Sequence, residues 1–169
     1  MHERDIDYRV AVITVSTSRF QKYGNLRGVE SVPEEDESGK EIIKEFGGRV
    51  VDYQLVSDDI LQIRSAVFES LAKADVCILT GGTGLSPRDV TVEALESVFE
   101  KRIEGFGEIF RLKSFEQIGY SAILSRATAG IVGGKVIFCL PGSKGAVKLG
   151  IEVIKASVKH ILSHAKGLS

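Results

Sequence analysis

The apolar run Val76-Cys77-Ile78-Leu79 passes directly into Thr80-Gly81-Gly82-Thr83-Gly84-Leu85-Ser86-Pro87-Arg88-Asp89. The first part reads as a short buried strand, and its abrupt end restricts what can follow. Glycine permits positive φ and lets a ligand approach the backbone, so consecutive amides can converge on an anion. Threonine hydroxyls and a guanidinium suit phosphate oxygens, and a carboxylate beside them suits a metal ion. Such a loop belongs at the carboxyl end of a sheet strand, the edge where open α/β folds bind ligands. It matches neither the P-loop pattern nor the dinucleotide fingerprint. A plain tight connection between strand and helix is the competing reading; Thr80, Thr83, Arg88 and Asp89 weigh against it.

The surrounding segments alternate as that sheet requires. Residues 9–16 (RVAVITVS) are rich in β-branched side chains and predict a central strand. The polar stretch 17–35, with Gly24, Gly28 and Pro33, predicts a long loop. Asp36 or Ser38 can cap a helix running through Phe46, with Ile42, Ile43 and Phe46 as its apolar face. Gly47-Gly48 stops that helix, and residues 49–56 predict a second strand. Ser57 is the expected cap of a helix over residues 58–73, with Ile60, Ile63, Val67, Phe68 and Leu71 inward. Beyond the glycine loop, Thr91 is expected to cap a helix over 92–99. Gly105-Phe106-Gly107-Glu108 is expected to precede an amphipathic segment that buries Ile109, Phe110, Leu112 and Phe115. Residues 125–132 and 135–140 predict strands joined by a hairpin turn at Gly133-Gly134, and a final helix spans 144–165. This order predicts an α/β fold, a three-layer αβα sandwich. Its sheet is mainly parallel, with helices on both faces and one antiparallel element near residues 125–140.

At 169 residues and 43% hydrophobic, the chain suits a single domain over 1–169, with its core at about 9–165. A net charge of −1 without a biased half gives no electrostatic footprint for nucleic acid or a membrane surface. Apolar runs are strand-sized and the first five residues are polar, so neither a membrane span nor a signal peptide is expected. The cytoplasm is the expected compartment. Cys77 and Cys139 sit inside apolar runs, where cysteine serves as a small buried hydrophobe.

Four strand ends carry polar turn residues: Ser16 onward, Ser57-Asp58-Asp59, Thr80 to Asp89, and Pro141-Gly142-Ser143-Lys144. In a parallel sheet these ends share one edge and line one crevice. Taken locally, Asp58, Asp59, Asp89 and Glu108 are acids near helix starts, where the dipole favours them. Ser125-Arg126 reads equally well as strand-entry polarity, and Ser143 as a helix cap. Lys144 opposes the dipole of the helix it begins, which favours an anion nearby. His160 and His164 lie four apart near a helix end, where cations are expected without any metal. No Ser-His-Asp or Cys-His arrangement is readable.

As a set, VAVITVS, VSDD, TGGTG, RDVT, EGFGE, LSRA and LPGS resemble the MoaB/MogA family of molybdenum cofactor biosynthesis proteins, related to the gephyrin G domain. The likeness extends from about Arg9 to Ala165. The resemblance implies a molybdopterin-binding-like fold and adenylylation of molybdopterin, with ATP as co-substrate and Mg²⁺ as cofactor. It implies that Asp58 and Asp89 serve Mg²⁺ placement and catalysis, and that Gly81, Gly82, Thr83 and Gly84 cradle phosphate and nucleotide. Ser16, Thr80, Arg88 and Lys144 join that substrate edge. Ser125, Arg126, Pro141, Gly142 and Ser143 would contribute to the pterin and phosphate pocket, supported by Glu108. Homotrimers or hexamers, and hand-over to a metal-insertion protein, are further implications. The chain departs from the family where an acidic Ser-Asp often follows the first strand. Here Ser16-Thr17-Ser18-Arg19 stands instead, before a longer, more basic stretch. A non-catalytic molybdopterin carrier or scaffold is the alternative reading, and an unrelated phosphate-binding enzyme on the same fold is a third.

Overall fold

β1 (Val10–Val15), β3 (Val76–Thr80) and β6 (Lys135–Leu140) are buried on both faces along almost their whole length. Strands of this kind need a helical layer on each side. In the computed structural model, which describes residues 6–168, they form the centre of a six-stranded sheet. β2 (Val50–Val56) flanks β1 at one edge; β5 (Thr128–Val132) and the two-residue β4 (Lys101–Arg102) extend the other. The order is β2-β1-β3-β6-β5-β4, parallel from β2 through β6, with β5 antiparallel to both of its neighbours. The expected sandwich with one antiparallel element is therefore what forms.

Alternation along each strand divides the core in two. Val10, Val12, Tyr53, Leu55, Ile78 and Phe138 pack against α2 (Glu37–Phe46), α5 (Glu104–Ile118) and α6 (Lys144–Ala165). Ile13, Val15, Val56, Leu79 and Cys139 pack against α3 (Ile60–Leu71) and α4 (Thr91–Glu96). Gly133 and Gly134, at φ 57° and 74°, make the hairpin turn between β5 and β6.

Several elements depart from the sequence expectation. The stretch 17–35 is no simple loop: it holds α1 (Thr17–Tyr23) and a tight helical turn, Val29–Ser31. Ser16 caps α1 by accepting the Arg19 amide, but none of the residues in α1 is buried, so no apolar period betrayed it. Asp59, not Ser57, caps α3, accepting the Gln62 amide. Phe68 is 52% exposed, because Ile63, Val67 and Leu71 already form the inward stripe. Thr91 is not the cap of α4; Val90 holds that place without a side-chain bond. α5 begins at Glu104, so Gly105 to Glu108 lie inside it. It starts early because Phe106 packs on Phe138, their ring centroids 5.0 Å apart. Phe106, Gly107, Phe110 and Ser114 then face inward, which turns Ile109, Leu112 and Phe115 outward. β5 begins only at Thr128, after the tight turn Gly119–Leu124, and β4 was too short and too charged to show a period.

Candidate active site at the carboxyl edge of the sheet

The glycine loop leaves β3 pressed against its neighbours. A Cβ on Gly81 would lie 2.3 Å from the Val15 carbonyl oxygen, and its φ of 98° already favours glycine. A Cβ on Gly82 would meet the Thr91 hydroxyl at 2.2 Å and Asp58 Oδ1 at 2.9 Å. A Cβ on Gly142 would touch Gly81 Cα at 3.4 Å. Strand ends from β1, β3 and β6 thus meet backbone to backbone. The Gly81 amide donates to the Leu140 carbonyl (3.0 Å). The Thr91 hydroxyl donates to the Gly81 carbonyl (2.9 Å), and the Thr80 hydroxyl to that of Pro141 (3.2 Å). These bonds use up carbonyls. Among the described residues, the amides of Gly82, Thr83 and Gly84 donate to no protein group. The same holds at the start of α6 for Ser143, Lys144 and Gly145, where Ser143 Oγ takes the Ala146 amide. Two runs of unengaged donors thus stand on adjoining turns at one edge of the sheet, an arrangement suited to phosphate.

Both carboxylates expected there lie along this loop. Asp58 Oδ2 accepts from the Thr17 hydroxyl (2.7 Å) and amide (3.2 Å), while Thr17 Oγ1 accepts the Asp58 amide (3.1 Å). Asp89 Oδ2 accepts the Ser86 amide (3.1 Å) and sits against Gly84, 2.7 Å from where a Cβ would stand. In each, Oδ1 accepts no hydrogen bond among the described residues. These residues contain no cluster of three or more His, Cys, Asp or Glu able to enclose a metal. Two hard oxygen donors beside a phosphate cradle do fit Mg²⁺, which commonly takes one or two carboxylates, substrate phosphates and water.

Arg126 crosses the end of the loop. Its guanidinium donates to the carbonyls of Thr83 (3.2 Å) and Gly84 (2.6 Å) and pairs with Glu93 at 2.6 Å. That hydrogen bond holds the Glu93 carboxyl below its usual range. Arg126 therefore braces the loop from outside. Beyond it opens a pocket of about 610 Å³, lined among others by Glu104, Glu108, Arg111, Ser125 and Arg126. Arg111 donates to the Ala127 carbonyl (3.2 Å), and its guanidinium occupies the space beside Gly107.

The structure sets Thr80 and Gly81 against Pro141 and Gly142, Asp58 against Gly82 and Asp89 against Gly84, with Thr83 between and Ser143 following Gly142 at the same edge. It places Glu108, Ser125 and Arg126 in the adjoining pocket. Ser16 takes part through its cap of α1. Arg88 and Lys144 stand exposed at the rim. Sequence reasoning missed Thr17, Thr91, Glu93, Glu104 and Arg111. Thr91 was visible within RDVT but read as a cap, and Glu104 opens EGFGE but was given no role; Thr17, Glu93 and Arg111 act through contacts 16–41 residues away in sequence, which local spacing cannot show. Neither cysteine is a nucleophile: burial pushes the Cys77 thiol up to about 12, and Cys139 in the same direction.

Such an edge, with unengaged amides, two carboxylates and a polar pocket, defines an α/β protein built to bind phosphate-bearing ligands. Residues 11–160 match the family model of a probable molybdopterin binding domain. The molybdopterin adenylyltransferase of Pyrococcus furiosus is 48% identical over 139 residues, covering 78% of this chain and 82% of that protein. A probable molybdopterin adenylyltransferase of Methanocaldococcus jannaschii is 43% identical over 168 residues, covering 98% and 99%. The crystal structure of the tungsten cofactor synthesizing protein MoaB from Pyrococcus furiosus superposes with a TM-score of 0.80 at 43% identity, covering 94% and 96%. The chain belongs to this MoaB-type family of molybdenum cofactor biosynthesis proteins.

Proposed function

We propose that this protein is a molybdopterin adenylyltransferase. The observation that carries the reading is the pair of carboxylates, from two different loops, bracketing a run of unengaged amides beside a separate polar pocket. An oxygen of the pterin's terminal phosphate forms a bond to the α-phosphorus of ATP. The bond from that phosphorus to the oxygen bridging toward the β-phosphate breaks, and pyrophosphate leaves with the electron pair. Such a transfer needs alignment and charge stabilisation rather than a protein nucleophile. That agrees with the two inert thiols.

The amides of Gly82 to Gly84 and of Ser143 to Gly145 orient phosphate oxygens. Glu104 and Glu108 offer acceptors to the N–H edge of a pterin ring in the 610 Å³ pocket, and Arg126 keeps the loop in shape from behind. Asp58 and Asp89 would hold Mg²⁺, which when bound neutralises charge on the ATP phosphates.

The exposed apolar side of α5 and of the turn after it supports a homotrimer, or a hexamer of paired trimers. Ile109, Leu112, Phe115 and Ile118 continue there into Tyr120 (80% exposed) and Ile123 (76%). Among the described residues no helix is long and apolar enough to cross a membrane, and we place the enzyme in the cytoplasm, handing its product to a metal-insertion protein.

Incubation with molybdopterin, ATP and Mg²⁺ is expected to yield adenylylated pterin and pyrophosphate. Pterin binding without product would instead establish the carrier reading. Asp89→Ala is expected to abolish turnover while the pterin still binds; unchanged turnover would remove Asp89 from this role.

A further inference from the structure

Asp36 takes the cap of α2, which leaves Ser38 free for something else. The Ser38 hydroxyl reaches across 104 residues of sequence and donates to the Gly142 carbonyl (2.9 Å). Gly142 packs against Gly81 on one side but is exposed in the turn between β6 and α6, and as a glycine its backbone admits more than one conformation. In a trans peptide the carbonyl of residue 142 and the amide of residue 143 point in opposite directions. Holding one therefore aims the other. The Ser143 amide is one of the unengaged donors at the crevice, lying on the side of the turn away from Ser38.

Ser38 is itself held by a buried device. Asp36 is 0% exposed and accepts from the Thr14 hydroxyl (2.7 Å), the Tyr53 hydroxyl (2.6 Å) and the Gly39 amide (3.0 Å). Two strands of the sheet thereby fix the first turn of α2, and that turn carries Ser38. A Cβ on Gly39 would come within 2.4 Å of Asp36 Oδ2, so the chain passes too close for any other residue.

We propose that Ser38 is a positioning residue: by pinning the Gly142 carbonyl it locks the Ser143 amide toward the anionic ligand. The proposal rests on the phosphate-binding reading of this crevice. Without the hydroxyl the peptide can rotate, and the carbonyl then presents a partial negative charge to a phosphate.

The test measures dissociation constants for ATP with Mg²⁺ and for molybdopterin by calorimetry, together with steady-state kinetics. Wild type, Ser38→Ala and Ser38→Thr are compared, with melting temperature as the control for folding. Loss of one oriented donor to a charged group predicts a rise of about tenfold in the dissociation constant and KM of one of the two ligands in Ser38→Ala. The donor acts alike on ground and transition states, so kcat is expected to hold within about twofold. Ser38→Thr, which keeps the hydroxyl, restores binding. Equal binding of both ligands by wild type and Ser38→Ala overturns the proposal, as does a weakening that Ser38→Thr fails to restore. Wild type that binds neither ligand overturns the phosphate-site reading itself, and the positioning role with it.

Discussion

Gly81 illustrates how much a single residue decides at this edge. Its positive φ and the Val15 carbonyl at 2.3 Å from any Cβ leave no room for another side chain. Gly81→Ala must shift either β1 or the loop, because the obstacle is backbone rather than a movable side chain. It is expected to cost about 2 kcal/mol or more, measured by chemical denaturation, and to weaken nucleotide binding in whatever folded protein remains. Asp58 carries a different lesson. Read locally it is an ordinary acid before a helix, and Asp59 beside it is the actual cap of α3. What separates the two is Thr17, 41 residues earlier, whose hydroxyl and amide hold Asp58 against the loop. That bond is invisible to spacing. Only the resemblance carried by the motifs singled out Asp58 from the sequence.

At the scale of elements, the hydrophobic period identified the helices well and their ends less well. α6 and α2 appeared where expected, since both bury a regular stripe. α1 did not, because it buries nothing. α5 has its apolar residues on two faces; the inner one is chosen by Phe106 and Phe110 meeting Phe138 and the sheet. α2 is tied down more by polar than by apolar contacts. Burial and the neighbouring Asp36 carboxylate hold the Tyr53 hydroxyl far above its usual range, so it donates and does not ionise. Tyr53→Phe removes one of three donors to a buried carboxylate. It is expected to cost about 1.5–3 kcal/mol, checked by urea denaturation, with the largest local increase in hydrogen exchange at the start of α2.

At the scale of the whole molecule, the outer face of α5 and the turn Gly119–Leu124 gather exposed leucine, isoleucine, phenylalanine and tyrosine. If that face closes a trimer, Leu112→Glu places a charge in each interface and is expected to yield monomers by light scattering, with the fold intact by circular dichroism. A mass unchanged from wild type would move the interface elsewhere. The parallel sheet itself explains why the site lies where it does. The parallel strands β2, β1, β3 and β6 all end at the same edge, and the antiparallel β5 brings Ser125 and Arg126 to that edge from its beginning. By itself the sequence determined the alternation of strands and helices, the glycine loop, and the motifs that mark the family, because these are local in patterning and composition. The tertiary structure alone decided that Thr17 holds Asp58, that Arg126 bonds the carbonyls of Thr83 and Gly84, and that Ser38 holds the Gly142 carbonyl. Those contacts join residues tens of positions apart, and only the packing of strand ends against one another sets their distances.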